Sequence, residues 1–390
     1  MALTDRWLLP EGIKELLPPQ ARQVDLLRRK LLDLYHSWGY DLVMPPLVEH
    51  LESLLTGTGH DLDLNTFKLT DQVSGHTLGV RADITPQVAR IDAHRMRTKG
   101  PSRLCYCGTV LHTHPANMLA SRNPLQAGAE LYGHSGVESD VEVISLMLET
   151  LNTLGVQGEI TVDLGHVGVF TALVKAAGLN EDQKQDFIDI LQRKALPELD
   201  QYLDALDLPV ALKQKLSALP RLNGTVNALQ RARELFAGAH QELEAIDYLQ
   251  VLAEELGKRY PEVKLYFDLG ELRGYHYHTG VVFAAYTPSF GQALAKGGRY
   301  DEIGQDFGRA RPATGFSTDL NTLVNITGLS PEPEKAIFAP YGRDDALHQA
   351  IASLRAQGKR VVQALNADEV AGAGEKQLVL RDDAWAVESL

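Results

Sequence analysis

Several short stretches of this chain carry side chains that could do chemistry. Asp83 and Thr85 stand just ahead of an apolar-periodic segment opened by Pro86, which puts a carboxylate and a hydroxyl at a helix start. Such a pair can receive an ammonium group; it can equally do no more than cap the helix. Gln126, Gly128 and Glu130 alternate along a run bounded by Pro124 and Gly133, and strand alternation sends all three to one face. A Gln and a carboxylate on the concave side of a sheet are costly unless paired, which favours a ligand site. A solvent-facing strand accommodates the same alternation. His276 and His278 also share a face, but no third metal ligand accompanies them. Cys105, Cys107, His112 and His114 are of metal-binding types. Alternation, however, sends the two Cys to one face and the two His to the other, and the cysteines are too close for a zinc knuckle. We expect no metal and no cofactor.

These groups need elements to hold them. Val24, Leu27, Leu31, Leu34 and Trp38 recur at helical spacing, which predicts a helix over 20–38 ended by Gly39. Tyr40–Leu47 reads as a short strand stopped by Pro45-Pro46. A hairpin is expected from 67–69 to 76–81, running into the helix that Thr85 caps. Antiparallel strands follow at 104–111 and 125–132, then a helix over 138–154 and a strand at 158–164. From 166 to 258 the pattern is wholly helical, broken at Gly178, Pro197, Pro209 and Pro220: a helical insertion. Strands resume at 263–269 and 279–286, and the segment from Gly315 leads into a helix. The Pro- and Glu-rich link at 328–334 divides a domain at 1–327 from a short α/β domain at 335–390, which reads as strand, helix, strand at 360–365 and strand at 377–381.

The 390 residues are 44% apolar and 23% charged, an ordinary globular balance. A net charge of −13 argues against broad nucleic-acid binding, which needs clustered Lys and Arg. Asp5 and Arg6 interrupt the N-terminus before any signal-like apolar run, and no stretch is long enough to span a membrane. With only two cysteines, the chain is expected in a reducing, cytoplasmic compartment.

Three stretches together resemble the catalytic domain of histidyl-tRNA synthetases. RLCYCGTVLHTHP over 103–115 is similar to motif 2 of that family, and the strand from Pro124 keeps its Gln-x-Gly-x-Glu spacing. LGVRADITPQVAR over 78–90 looks like the family's Leu-Arg-x-Glu-x-Thr segment, with Asp83 for Glu. LRGYHYHTGVVF over 272–283 resembles the histidine-specific signature, and Tyr300 in GGRYD matches a pocket tyrosine. The helix and proline-ended strand over 20–47 resemble motif 1, whose role there is dimerisation. The resemblance implies an α+β fold of the class II aminoacyl-tRNA synthetase type, an antiparallel sheet flanked by helices. It also implies a histidine pocket: Asp83, Thr85 and Gln126 at the α-ammonium, Glu130 at the imidazole and Arg273 at the carboxylate. Tyr275, Tyr277, His278 and Tyr300 would complete it, with His278 departing from a family tyrosine.

The departures point to the reaction that is lost. Adenylate formation needs positive charge where the pentacovalent phosphate becomes negative, and losing one such donor costs about 10²–10³ in rate. His112 stands at the motif 2 arginine and Thr322 at the motif 3 arginine, while Asp319 replaces a glycine. His114 replaces a motif 2 glutamate, and the segment after Glu334 is too short for the anticodon-binding domain. Among histidyl-tRNA synthetase-like families, the pattern is most similar to the ATP phosphoribosyltransferase regulatory subunits. That resemblance implies a non-catalytic chain that binds histidine as a feedback effector and modulates a short-form catalytic subunit. It implies self-association as a dimer within a hetero-oligomer, no tRNA and no membrane. The alternatives are an active histidyl-tRNA synthetase, a stand-alone histidine-binding paralogue, and a scaffold with a vestigial pocket.

Overall fold

The computed structural model describes residues 7–56, 60–115, 120–272, 275, 277–327, 335–372, 376–382 and 384–389. Helix α1 (Gln20–Ser37) buries Val24, Leu27, Leu31 and Tyr35 along one face, and Gly39, at φ 81°, ends it. Next come β1 (Asp41–Leu42), β2 (Val48–His50), α2 (Leu51–Leu55), α3 (His60–Asn65), β3 (Phe67–Thr70), β4 (Thr77–Val80) and α4 (Thr85–Arg90). The β3–β4 hairpin pairs antiparallel, with β2 on its other edge. The strand expected over 40–47 shrinks to the two residues of β1. Pro45 and Pro46 cannot donate to a ladder, and their carbonyls accept instead from Arg81 Nη1 at 2.7 Å and Gln87 Nε2 at 2.8 Å.

The sheet that carries the site is built from β5 (Ser102–Thr109), β6 (Leu125–Tyr132), then α5 (Val137–Thr153) and β7 (Thr161–His166). The insertion follows as α6 (Val167–Ala177), α7 (Glu181–Gln192), α8 (Leu196–Ala205), α9 (Val210–Ala218), β8 (Asn223–Gly224), α10 (Asn227–Leu235) and α11 (His240–Arg259). After it come β9 (Lys264–Asp268), β10 (Val281–Thr287), β11 (Phe290–Arg299), β12 (Ala313–Asp319) and α12 (Leu320–Ile326). Strand order is β1-β5-β6-β12-β11-β10-β7-β9-β8, antiparallel except for the β1–β5 and β7–β9 pairs. The insertion is not wholly helical, because β8 returns to pair with β9 and fastens it to the sheet edge. Its helices pack around Phe170 stacked on Phe187 at 5.5 Å.

The two faces of this sheet have different jobs. One packs α1 and α5 into the main core, where Cys105, Ala127, Ala129, Leu131 and Phe316 meet Tyr35, Val143 and Met147. Tyr35 meets Phe316 edge-on at 6.2 Å. Cys105 and Cys107 belong to this face, and burial lifts their thiols to about 12 and about 11, so neither is a ready thiolate. The other face carries a smaller cluster that includes Ile84, Val88, Leu104, Tyr106, Tyr132 and Tyr300. No described helix is long and apolar enough to cross a membrane.

The chain divides into two compact units, one of Met1–Leu16 with Val24–Leu329 and one of Leu17–Gln23 with Ser330–Leu390. The second unit holds β13 (Ile337–Ala339), α13 (Asp345–Ala356), β14 (Val361–Gln363), β15 (Lys376–Arg381) and β16 (Ala384–Ser389). Its strand order is β14-β13-β15-β16, with β16 added beyond the strands read from the sequence. Ile337, Leu347, Ile351, Val361 and Leu378 form its core.

Candidate ligand cavity on the open face of the sheet

Alternation positions the centre of the site. On β6, Gln126, Gly128 and Glu130 face away from the helix-packed core, while Ala127, Ala129 and Leu131 enter it. Glu130 pairs across to Gly315 on β12, and Gly315 pairs with Gly298 on β11. A methyl at Gly315 would overlap the Glu130 carboxylate, so this glycine gives the acid room to lie flat on the sheet. A methyl at Gly298 would sit 2.7 Å from His278 Nε2. Glycines thus make the floor, and the functional side chains lie on it.

Glu130 is 1% exposed and surrounded by hydroxyls. Thr85 Oγ1 donates to its Oε1 at 3.1 Å, Tyr106 donates to the same oxygen at 3.0 Å, and Tyr300 donates to Oε2. Burial raises the Glu130 carboxyl to about 8; the tyrosine and threonine donors pull it down, and nearby Asp83 pushes it up. An acid held so close to neutrality can donate a hydrogen bond or accept one, as the ligand requires. Asp83 is braced beside it: Gln126 Nε2 donates to Asp83 Oδ1 at 2.8 Å, and Gln126 Oε1 accepts from Ile84 N at 2.9 Å.

The cavity around this acid encloses about 210 Å³. Asp83, Thr85, Glu130, Tyr277, His278 and Tyr300 all line it, and Gln126 stands behind Asp83. Tyr277 and His278 stack at a tilt, ring centres 4.2 Å apart. Tyr275 is not brought to the cavity. Its ring packs edge-on against Phe170 of the insertion at 4.8 Å, with the Lys184 ammonium 5.9 Å from its centre, because that apolar surface is the nearest for an aromatic at this turn. Arg273 lies outside the described residues, as does His276.

Thr85 departs from its expected role. The residue at the cap position is Ile84, with no side-chain cap, so the Thr85 hydroxyl is released to Glu130 and Tyr106. Asp83 does receive the Thr85 amide at 3.0 Å, so capping and ligand-facing functions coexist there. Sequence reasoning missed Tyr106, whose place on the Glu130 side follows from its alternation with Cys105 and Cys107. It also missed Asp163, Lys296 and Ser317, which line the cavity from β7, β11 and β12.

At the two positions where the resemblance expects the motif 2 and motif 3 arginines, His112 and Thr322 turn to other partners. The His112 ring nitrogen Nε2 lies 2.9 Å from Ala82 O, tied to backbone. Thr322 donates to Asp319, and Asp319 accepts the Asn321 and Leu125 amides at 3.1 Å each, so that pair closes the start of α12. Arg81 and Arg122 spend their guanidinium groups on carbonyls, at Thr109 O (2.9 Å) and His112 O (3.0 Å). This arrangement can hold a small polar ligand; Lys296 is the one lysine or arginine among the described lining residues, and neither motif arginine is present to stabilise a phosphoryl transition state.

Comparison with known proteins gives the same direction. The Histidyl-tRNA synthetase family matches residues 12–323, and the ATP phosphoribosyltransferase subunit HisZ C-terminal domain matches residues 334–388. An ATP phosphoribosyltransferase regulatory subunit of Thioalkalivibrio sulfidiphilus is 56% identical, with all of both chains covered. One from Stutzerimonas stutzeri is 54% identical over the same full coverage. The crystal structure of an ATP phosphoribosyltransferase regulatory subunit/histidyl-tRNA synthetase from Bacillus halodurans superposes with a TM-score of 0.81. It is 29% identical, covering 93% of this chain and 95% of that one. With histidine and threonine at two arginine positions of a synthetase-type site and relatives this similar along their whole length, the chain belongs to the ATP phosphoribosyltransferase regulatory subunits, a non-catalytic family on the class II synthetase fold.

Proposed function

We propose that the cavity binds free histidine, and that its occupancy is the feedback signal carried to a short-form catalytic subunit in a cytoplasmic hetero-oligomer, where this chain self-associates as a dimer and takes no tRNA. The observation that carries the reading is Glu130: a buried acid ringed by Thr85, Tyr106 and Tyr300, on a glycine floor beside Asp83. An imidazole offers one donor and one acceptor, and an acid poised near neutrality suits both. Asp83, with Gln126 behind it, suits an α-ammonium. Tyr277, His278 and Tyr300 would close around the ring, and Arg273 would meet the carboxylate, as the family resemblance implies.

Feedback requires that histidine bind one state of the complex more tightly than another. A coupling of about 1–3 kcal/mol gives a 5–150-fold effect. The test is the rate of ATP and phosphoribosyl pyrophosphate condensation by a short-form catalytic subunit, with and without this chain, across a histidine titration. A rate that changes on adding the chain and then falls with histidine supports the reading; a rate indifferent to both removes it. Arg273→Ala in this chain should shift the inhibition curve to about tenfold higher histidine or beyond. An unshifted curve would take Arg273 out of the site.

A further inference from the structure

We propose that Lys296 is a carboxylate-binding residue of this cavity and sets its preference for an amino acid over the corresponding amine or alcohol. The assignment rests on the histidine-binding reading above and extends it to a residue that nothing in the family signature marks.

Position comes first. Lys296 pairs with Ser317 on β12 and Ala284 on β10, and all three line the cavity. Gly298, two residues further along β11, pairs with Gly315, which in turn pairs with Glu130. Lys296 and Glu130 therefore rise from one sheet face, two strands apart and two residues out of step. Strand spacing and rise put their Cα atoms about 12 Å apart. Side chains reaching inward from both ends leave a gap on the scale of one amino acid.

Charge makes the position matter. The cavity is also lined by Asp83, Glu130, Asp163, Asp268 and Glu271, and Lys296 is the only lysine or arginine among its described lining residues. A ligand carboxylate entering among so many acids is repelled unless a cation meets it locally. Arg273, which the reading above also places at the carboxylate, lies outside the described residues; among the described ones, the other cations nearby are committed. Arg299 is held by Asp140 at 2.9 Å, and Lys194 by Asp268 at 3.0 Å. The Lys296 ammonium, by contrast, makes no hydrogen bond or ion pair among the described residues, and its side chain is exposed. A lysine in a central strand between Ala295 and Gly297 contributes little to packing, and the β-propensity of lysine does not favour it there. A role toward a ligand accounts for it.

The test compares histidine with histidinol, which has a hydroxymethyl group in place of the carboxylate. Both are titrated calorimetrically into the full-length chain as wild type, Lys296→Ala and Lys296→Arg. Wild type should prefer histidine by about tenfold or more. Lys296→Ala should lose the part of that preference that Arg273 does not supply, by weakening histidine while leaving histidinol nearly unchanged. Lys296→Arg should restore most of it, which separates charge from any packing effect. Intact histidine binding with an unchanged preference in Lys296→Ala overturns this assignment alone, leaving the carboxylate to another cation. A wild type that binds neither compound overturns the histidine reading and this assignment together.

Discussion

Glu130→Gln is expected to leave the empty protein more stable than wild type above about pH 5, yet to weaken histidine binding by about 10- to 100-fold. The reason is one group with two obligations. In the folded chain burial lifts the Glu130 carboxyl from 4.5 to about 8. Between those values the folded state keeps a proton that the unfolded state has released. Stability therefore falls as pH rises through that window and levels off above it. Glutamine has no proton to release; its Oε1 can still accept from Thr85 and Tyr106 while its Nε2 donates to the Tyr300 hydroxyl, so the variant escapes the loss. The gain should be near zero at pH 4.5 and reach the order of a few kcal/mol by pH 8. In melting temperature that is about 1–2 °C per kcal/mol for a protein of this scale. The same amide cannot switch between donor and acceptor at one atom, nor take a charge when an imidazolium arrives. Paired melts from pH 5 to 9, with histidine titrations at pH 7.5, check both halves. A stability difference that stays flat with pH would refute the poised acid, and unaltered histidine affinity would remove Glu130 from the ligand.

How far the sequence reveals this site depends on regularity. Gln126, Gly128 and Glu130 sit on a strand, and a period of two is enough to put them on one face. What that face meets is not periodic information. Tyr300 lies beyond the end of β11, and only the Gly298–Gly315 register turns its hydroxyl to Glu130. Thr85 reads as a helix cap because hydroxyls before Pro usually are; tertiary contact with Glu130 overrides that local preference. Tyr275 shows the opposite failure. The sequence from 272 to 280 has no alternation or helical period to orient its side chains, so a family signature alone cannot tell which aromatic turns inward, and Tyr275 turns to Phe170. Lys296 reads as a solvent-facing lysine, and only its neighbours across β10 and β12 reveal a cavity. Within the larger unit the long elements were legible, while the small β8 was not, since a two-residue strand has no pattern of its own and exists through its partner β9.

The largest loss of stability should come from Arg299, which never touches the cavity. It lies between two residues that do, Gly298 and Tyr300. Its guanidinium donates to Asp140 from Nε at 3.0 Å and Nη2 at 2.9 Å, to Ser139 Oγ at 2.8 Å, and to the carbonyls of His134 and Gly136 at 3.2 and 3.3 Å. Both charged side chains are buried, and Tyr248 also donates to Asp140. Burial already holds the Asp140 carboxyl above the usual carboxylate range with Arg299 beside it. Arg299→Met would leave that acid without its counter-ion, at a cost of about 3–5 kcal/mol. Because the orphaned acid must hold a proton in the folded state, the deficit should widen as pH rises above the normal carboxylate range. Adding Asp140→Leu removes the uncompensated charge and should regain a large part of the loss. It should not regain all of it, because the His134 and Gly136 carbonyls and Ser139 Oγ lose the guanidinium donor in either background, while Ser139 still donates to both carbonyls. Urea denaturation of the two single variants and the double variant gives the coupling directly. A double variant no more stable than Arg299→Met would mean that the carbonyl contacts, not the ion pair, are what Arg299 supplies. In the wild type those same contacts fasten the end of β11 to the start of α5, so that Gly298 and Tyr300 line the cavity from a backbone held on both sides.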